Sequence, residues 1–172
     1  YDQDDLRIRA LWHIPYAQLD QAIALGLRSG IGDEWVRIGG VKIFSDGALG
    51  SVTCHMLAPF EGSTDNYGIP TIEEGELRDA VLRADRAGIA ATIHAIGDRA
   101  NRTVLDAIGN AIEQRTRGNT PPVDALRGPR LPHRIEHAQH LDAADVGRFA
   151  QLGVIASMQP VHATSDYEVA ER

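Results

Sequence analysis

Short apolar runs alternate along this chain with longer stretches whose apolar positions recur at helical spacing. Residues 6–12 alternate as a strand does, with Leu6, Ile8, Ala10 and Trp12 on one parity and Arg7 and Arg9 on the other. A turn at His13, Ile14, Pro15 and Tyr16 leads to a predicted helix over 17–27, striped by Leu19, Ala22, Ile23 and Leu27. Residues 36–45 form the next predicted strand. A long glycine-containing loop over 46–70 follows; loops of this length are uncommon in compact domains and are often functional lids. Thr71 and Glu74 have capping-box spacing at the head of a helix carrying Leu77, Ala80, Val81 and Ala84, which Gly88 ends. A strand over 89–94 precedes a helix capped by Asp98 and carrying Val104, Leu105, Ile108, Ala111 and Ile112. After a Gly/Pro-rich connection over 117–131, a strand is predicted at 133–138. Asp142 then caps a helix with Val146, Phe149 and Leu152 inward and Gly153 at its end. The last strand, 154–158, stops at Gln159 and Pro160.

This order is β-α-β-loop-α-β-α-β-α-β, an α/β pattern that implies a parallel sheet covered by helices. Five such strands make either an open doubly wound sheet or an arc of an eight-stranded barrel. No glycine-rich phosphate turn follows the first strand, so a dinucleotide fold has no support.

With 172 residues, 43% of them hydrophobic, the chain is large enough for a compact core. A net charge of −7 argues against nucleic acid or an anionic membrane as main partner, and no apolar run is long enough to span a bilayer. The single cysteine, Cys54, cannot form an internal disulfide, which fits a reducing cytoplasm. Nothing nearby marks Cys54 as activated, so it reads as a small apolar filler. The chain opens on Tyr1 without a start methionine, so it is expected to be a piece of a longer protein.

The chemistry-bearing residues gather at predicted strand ends, where side chains from several strands of a βα protein converge. His94 and His137 are candidate ligands for a divalent ion, since imidazole suits zinc and similar ions. The alternative for each is a core-edge histidine with a hydrogen-bonded ring; two at equivalent strand ends favour metal. Lys42 lies between Val41 and Ile43, where an unpaired ammonium is costly to bury. Either its amine snorkels to water, or it is kept neutral and forms a carbamate that bridges metal ions; spacing alone weighs these evenly. Asp46 and Asp98 lie just past strand ends, suited to orient a histidine or hold substrate, and equally suited to turn or cap roles. Glu136 has opposite parity to His137 and is expected to face the helices, paired with a base such as Arg134. His162 follows the last strand and either lines the same mouth or is a plain loop residue, and His13 is similarly placed. His133 is expected to be structural and His140 a solvated turn residue.

Four ordered blocks carry a resemblance: Lys42-Ile-Phe-Ser-Asp-Gly-Ala-Leu-Gly-Ser51, His94-Ala-Ile-Gly-Asp-Arg-Ala-Asn101, Arg134-Ile-Glu-His-Ala-Gln139 and Ser157-Met-Gln-Pro-Val-His162. Together they resemble the YtcJ-like branch of the amidohydrolase superfamily, which includes N-substituted formamide deformylases. The resemblance implies a partial (β/α)8 TIM barrel, about strands three to seven, with residues 1–172 as one fragment of the catalytic domain. It implies hydrolysis of carbon–nitrogen bonds other than peptide bonds in a small-molecule substrate. It places Lys42 on the strand-four lysine, carboxylated in many members, and His94 and His137 on the strand-five and strand-six metal ligands. One or two divalent ions, zinc being the expected metal, would activate water.

The strand-one His-x-His pair and the strand-eight aspartate that serves as base in that superfamily match nothing in this sequence, and Asp166 follows Pro160 too soon for the latter role. Asp98 is carried forward as a catalytic candidate beside Lys42, with Asp46 and His162 as substrate-binding candidates. The 46–70 loop is expected to act as a lid. The fragment alone is expected to be inactive, and its raw sheet edges invite a homo-oligomer. The alternatives are a non-catalytic barrel-derived interaction module and a mononuclear deaminase-like hydrolase.

Overall fold

The computed structural model describes residues 8–118 and 130–167. Five strands, β1 (Ala10–Pro15), β2 (Val36–Phe44), β3 (Ala90–Ala95), β4 (Arg134–His137) and β5 (Ile155–Ser157), form one sheet in the order β1-β2-β3-β4-β5. Every pair is parallel. A doubly wound sheet reverses its strand order at a switch point; strictly sequential order makes this a singly wound arc of a barrel, in agreement with the sequence reading.

The helices are α1 (Leu19–Ala24), α2 (Glu74–Arg86), α3 (Asp98–Arg117), α4 (Ala143–Leu152) and the short α5 (His162–Ser165). One parity of the strands, Val41, Ile43, Ala91, Ile93 and Ile135, packs in one core with Leu77, Val81, Val104, Leu105, Ile108 and Phe149 from the helices. Among the described residues no helix is long and apolar enough to cross a membrane.

Several boundaries moved for identifiable reasons. The first strand runs on to Pro15 because a register irregularity between Trp12 and Ile14 keeps it paired with Lys42. The predicted 17–27 helix shrinks to α1, with a 3-10 turn at Tyr16–Gln18 before it. The capping box does not form: the Thr71 hydroxyl donates to the Phe44 carbonyl (2.8 Å), and Glu73 occupies the cap with no side-chain bond. Gly97 holds the position before α3, with Asp98 one place inside. Asp142 does cap α4, accepting from the Ala144 amide at 2.8 Å. Gly88 and Gly153, at φ +76° and +65°, end α2 and α4 as predicted. Val146 is exposed and does not join the core. Most of the 117–131 connection lies outside the described residues.

At the opposite end of the sheet from the histidine-bearing strand ends, buried Asp85 gathers Arg115 (2.5 Å), Arg130 (3.3 Å) and His133 Nε2 (3.2 Å). The second ring nitrogen of His133, Nδ1, accepts the Ala91 amide at 3.0 Å, so this histidine is structural, as expected. Burial pushes the Asp85 carboxyl up, but the His133 hydrogen bond and the arginine charges outweigh it and hold it below the usual range. A carboxylate with a depressed folded pKa contributes stability that is present above the unfolded value near 4 and is lost as pH falls through the folded value. Asp85→Ala is expected to cost about 3 kcal/mol at neutral pH, and the deficit relative to wild type should shrink below about pH 4. Urea titrations at neutral and acid pH measure both; a deficit that does not narrow in acid would refute the assignment.

Candidate metal centre at the strand ends

The parity opposite the helix core puts Lys42 and Phe44 of β2 beside Thr92 and His94 of β3, and these beside Arg134 and Glu136 of β4. Lys42 Nζ lies 4.7 Å from the centroid of Phe44, whose ring is 5.4 Å from that of His94. The His94 and His137 ring centroids are 4.6 Å apart, edge to face, and His162 follows 5.9 Å from His137. One continuous row therefore runs Lys42, Phe44, His94, His137, His162 across the strand ends.

Simple alternation would send His137 to the helix side with Ile135. It does not go there because His137 and Ala138 take positive φ, 74° and 45°. A non-glycine residue in the left-handed region costs about 1–2 kcal/mol, and here the turn swings the imidazole against His94. Glu136 is the corresponding correction: it faces the same side as Lys42, not the helices. It accepts from Arg134 Nε at 2.5 Å, as expected, and Arg134 also donates to Ser157 Oγ at 2.6 Å. Burial lowers the Lys42 ammonium below the ordinary lysine value; the Glu136 charge only partly offsets this, and Arg134 adds to it. Burial likewise lowers His137, with His94 acting in the same direction.

Asp46 is 2% exposed. Its carboxylate accepts the amides of His55 (2.9 Å), Ile96 (3.1 Å) and Gly97 (2.8 Å), and lies 3.4 Å from His94 Nε2. Both oxygens are engaged by backbone amides, so the carboxylate holds the loop and the β3 exit together. Asp98 accepts the Leu57 and Arg99 amides, each at 2.8 Å, so its carboxylate also anchors the loop. Over residues 46–70 the chain is thus anchored at His55 and Leu57 by these two carboxylates. Leu49, Cys54 and Ile96 make a second small core there, joined by Met56 and Phe60. A Cβ on Gly97 would sit 2.0 Å from the His55 carbonyl oxygen, so only glycine lets the loop cross at that point. Cys54 is the apolar filler expected, and burial pushes its thiol up to about 12.

The remaining candidates divide. His13 packs against Gly39, with its Nδ1 buried and unpartnered among the described residues, and shares a cavity of about 540 Å³ with Lys42. His140 is half-buried and not the solvated turn residue expected; burial lowers its pKa. Asn101, fully buried, donates to the carbonyls of Gly97 (2.9 Å) and His140 (3.1 Å), tying the β3 exit to the β4 exit. Sequence reasoning also missed Gln159, read only as a strand terminator, whose Oε1 accepts from His137 Nδ1 at 2.9 Å.

The donors suit a borderline divalent ion in kind and fall short in number. Gln159 Oε1 accepts a hydrogen bond from His137 Nδ1, which leaves Nε2 of the neutral ring as the nitrogen able to ligate, an arrangement like the outer partners of metal-bound histidines. His94 Nε2 meets the Gly47 carbonyl at 2.7 Å. Among the described residues no group of three or more His, Cys, Asp or Glu could hold an ion, whereas a closed tetrahedral site uses four donors.

Sequentially ordered parallel strands with helices packed on one face, and two imidazoles together at the strand ends, make this an arc of a (β/α) barrel. The chain belongs to the Amidohydrolase family, which it matches over residues 2–172. It is 35% identical over 163 residues to Protein LONG AFTER FAR-RED 3 of Arabidopsis thaliana, covering 94% of this chain and 26% of that protein. It is 32% identical over 133 residues to Putative amidohydrolase YtcJ of Bacillus subtilis (strain 168), covering 77% of this chain and 22% of that protein. An uncharacterized metal-dependent hydrolase from Pyrococcus furiosus superposes with a TM-score of 0.78 at 28% identity, over 99% of this chain and 32% of that one. The chain thus spans about a quarter of the length of the curated relatives it matches.

Removing the Asp46 carboxylate strips three backbone amides of their acceptor. Asp46→Ala is expected to cost at least about 3 kcal/mol and to open residues 46–70 to limited proteolysis. Cleavage no faster than in wild type would show that the loop is held by something else.

Proposed function

We propose that this chain is the central part of a metal-dependent hydrolase that cleaves carbon–nitrogen bonds other than peptide bonds, of amide, formamide or cyclic amide type, in small molecules. The observation that carries this reading is the contact of the His94 and His137 rings, with Lys42 two residues before Phe44 in the same row, from three neighbouring strands on one face of the arc. His94 and His137 would hold a divalent ion of the zinc class, with Lys42, as its carbamate, adding an anionic oxygen donor. Such an ion, when bound, supplies Lewis acidity to the scissile carbonyl and acidity to water.

The chain's own residues do the rest. Gln159 orients His137; Asp46 sets the position of the His94 ring and pins the loop that walls the mouth; Glu136 offsets part of the burial cost at Lys42 and is itself held by Arg134. Asp98 acts through the loop and leaves the base to a residue elsewhere in the whole protein. The ligand set assigned here, two imidazoles and a lysine among the described residues, falls short of a closed site, so turnover is assigned to the full protein and not to this part.

A second reading is an interaction module that keeps the arc without the chemistry. The contact between His94 Nε2 and the Gly47 carbonyl, which occupies a ligating nitrogen, favours it. Exposed Leu11 and Trp12 on β1 and Ile155 on β5 leave apolar sheet edges that would pair with further barrel strands or with a second copy.

Metal analysis of the full-length protein separates the readings. One or two zinc-class ions per chain are expected, with Lys42→Ala losing at least part of that metal and at least about 100-fold in kcat/KM toward amides. Lys42→Arg should not rescue, because a guanidinium stays charged and does not take up carbon dioxide. A well-folded full-length protein that binds no metal would sink the hydrolase reading and leave the module.

A further inference from the structure

The two imidazoles that meet at the strand ends are held in different ways. His94 lies inside β3, where strand pairing fixes its backbone. His137 ends β4 and, with Ala138, takes positive φ. Two successive residues with side chains persist in the left-handed region only where the surroundings hold them there. Two backbone bonds do part of this: the Ala138 amide donates to the Ala95 carbonyl at 3.1 Å, and the His140 amide to the Ile96 carbonyl at 2.9 Å. The side chain of Asn101, from the first turn of α3 and 0% exposed, joins them. Its Nδ2 donates to Gly97 at 2.9 Å on the β3 exit and to His140 at 3.1 Å on the β4 exit, with the Ala95 and Ile96 carbonyls at 3.3 and 3.4 Å. Turning the amide over would set its oxygen against those carbonyl oxygens, so hydrogen-bond chemistry fixes its orientation. Oδ1 is then left buried with no partner among the described residues. An apolar residue of similar size would avoid that cost; what it lacks is the pair of donors.

We infer that Asn101 is the positioning residue of the strand-end pair: its buried amide clamps the exit of β3 to that of β4, holds His137 in its left-handed conformation and so sets the approach of the His94 and His137 rings. Asp46 gathers the exits of β2 and β3; Asn101 is its counterpart between β3 and β4. The clamp acts through backbone carbonyls, so its removal leaves both imidazoles in the chain and relaxes only their spacing. The inference rests on the hydrolase reading for its consequence, since the spacing matters once both rings serve one ion. A ligand set works only when held within about 0.5 Å of its geometry.

The full-length protein tests this through its zinc affinity, measured by competition with a chromophoric chelator, and through the visible spectrum of its cobalt(II) form. Asn101→Leu, similar in volume but without donors, should weaken zinc binding at least about tenfold and shift the cobalt bands. Asn101→Ser, whose hydroxyl ends one bond short of Nδ2, should do the same and serves if the leucine variant does not fold. Val104→Ala, one turn further along α3 and fully buried, should lower stability and leave zinc affinity and spectrum at wild-type values. That control separates positioning from a general loosening of α3. A folded Asn101→Leu or Asn101→Ser protein with wild-type zinc affinity and cobalt spectrum overturns the inference, as does an equal loss of affinity in Val104→Ala. If the wild type binds neither metal, the hydrolase reading fails separately, and crystal structures of wild type and Asn101→Ser decide the clamp: His137 leaving positive φ in the variant supports it, and an unchanged His137 refutes it.

Discussion

The buried carboxylate of Asp46 ties together segments that the strands alone would leave apart. It sits at the exit of β2 and accepts amides from the loop at His55 and from the exit of β3 at Ile96 and Gly97. Hydrogen bonds to an ionised acceptor are among the strongest available to a backbone. Three of them on one side chain settle how β2 and β3 end relative to each other, and the His94 ring lies against the same group. Asp98 repeats the device one turn later by holding Leu57. Between them they turn a long, glycine-containing connection into a wall with its own small core.

The sheet has two faces with different duties. On one, Val41, Ile43, Ala91, Ile93 and Ile135 pack against helices and supply the stability. On the other, Lys42, His94, Arg134 and Glu136 form a polar row that must satisfy itself. The pairing of Glu136 with Arg134, and of Arg134 with Ser157, is how three neighbouring strands share that burden. At the far end of the sheet Asp85 collects Arg115, Arg130 and His133, so this charged cluster and the row of histidines lie at opposite ends of the sheet.

The row of rings at the mouth is ordered from outside by groups that never enter it. Gln159 and Asp166 both come from the segment after β5, and each accepts a hydrogen bond from Nδ1 of a neighbouring histidine. Both histidines line the same cavity beside the β5 exit.

Much of this was legible in the residues. The alternation of short apolar runs with helical stripes determined the element order, the parallel sheet and the face each helix buries, because those depend on local periodicity. It also located Lys42, His94 and His137 at strand ends. The side of the sheet that His137 and Glu136 occupy was not legible, because parity holds only while the backbone stays extended, and His137 leaves that region at φ +74°. Nor were the duties of Asp46, Asp98, Gln159 and Asp166. Their partners lie up to 51 residues away in the chain, at Gly97 for Asp46. Whether a carboxylate meets substrate, caps a helix or gathers backbone amides is decided only when folding brings those amides to it.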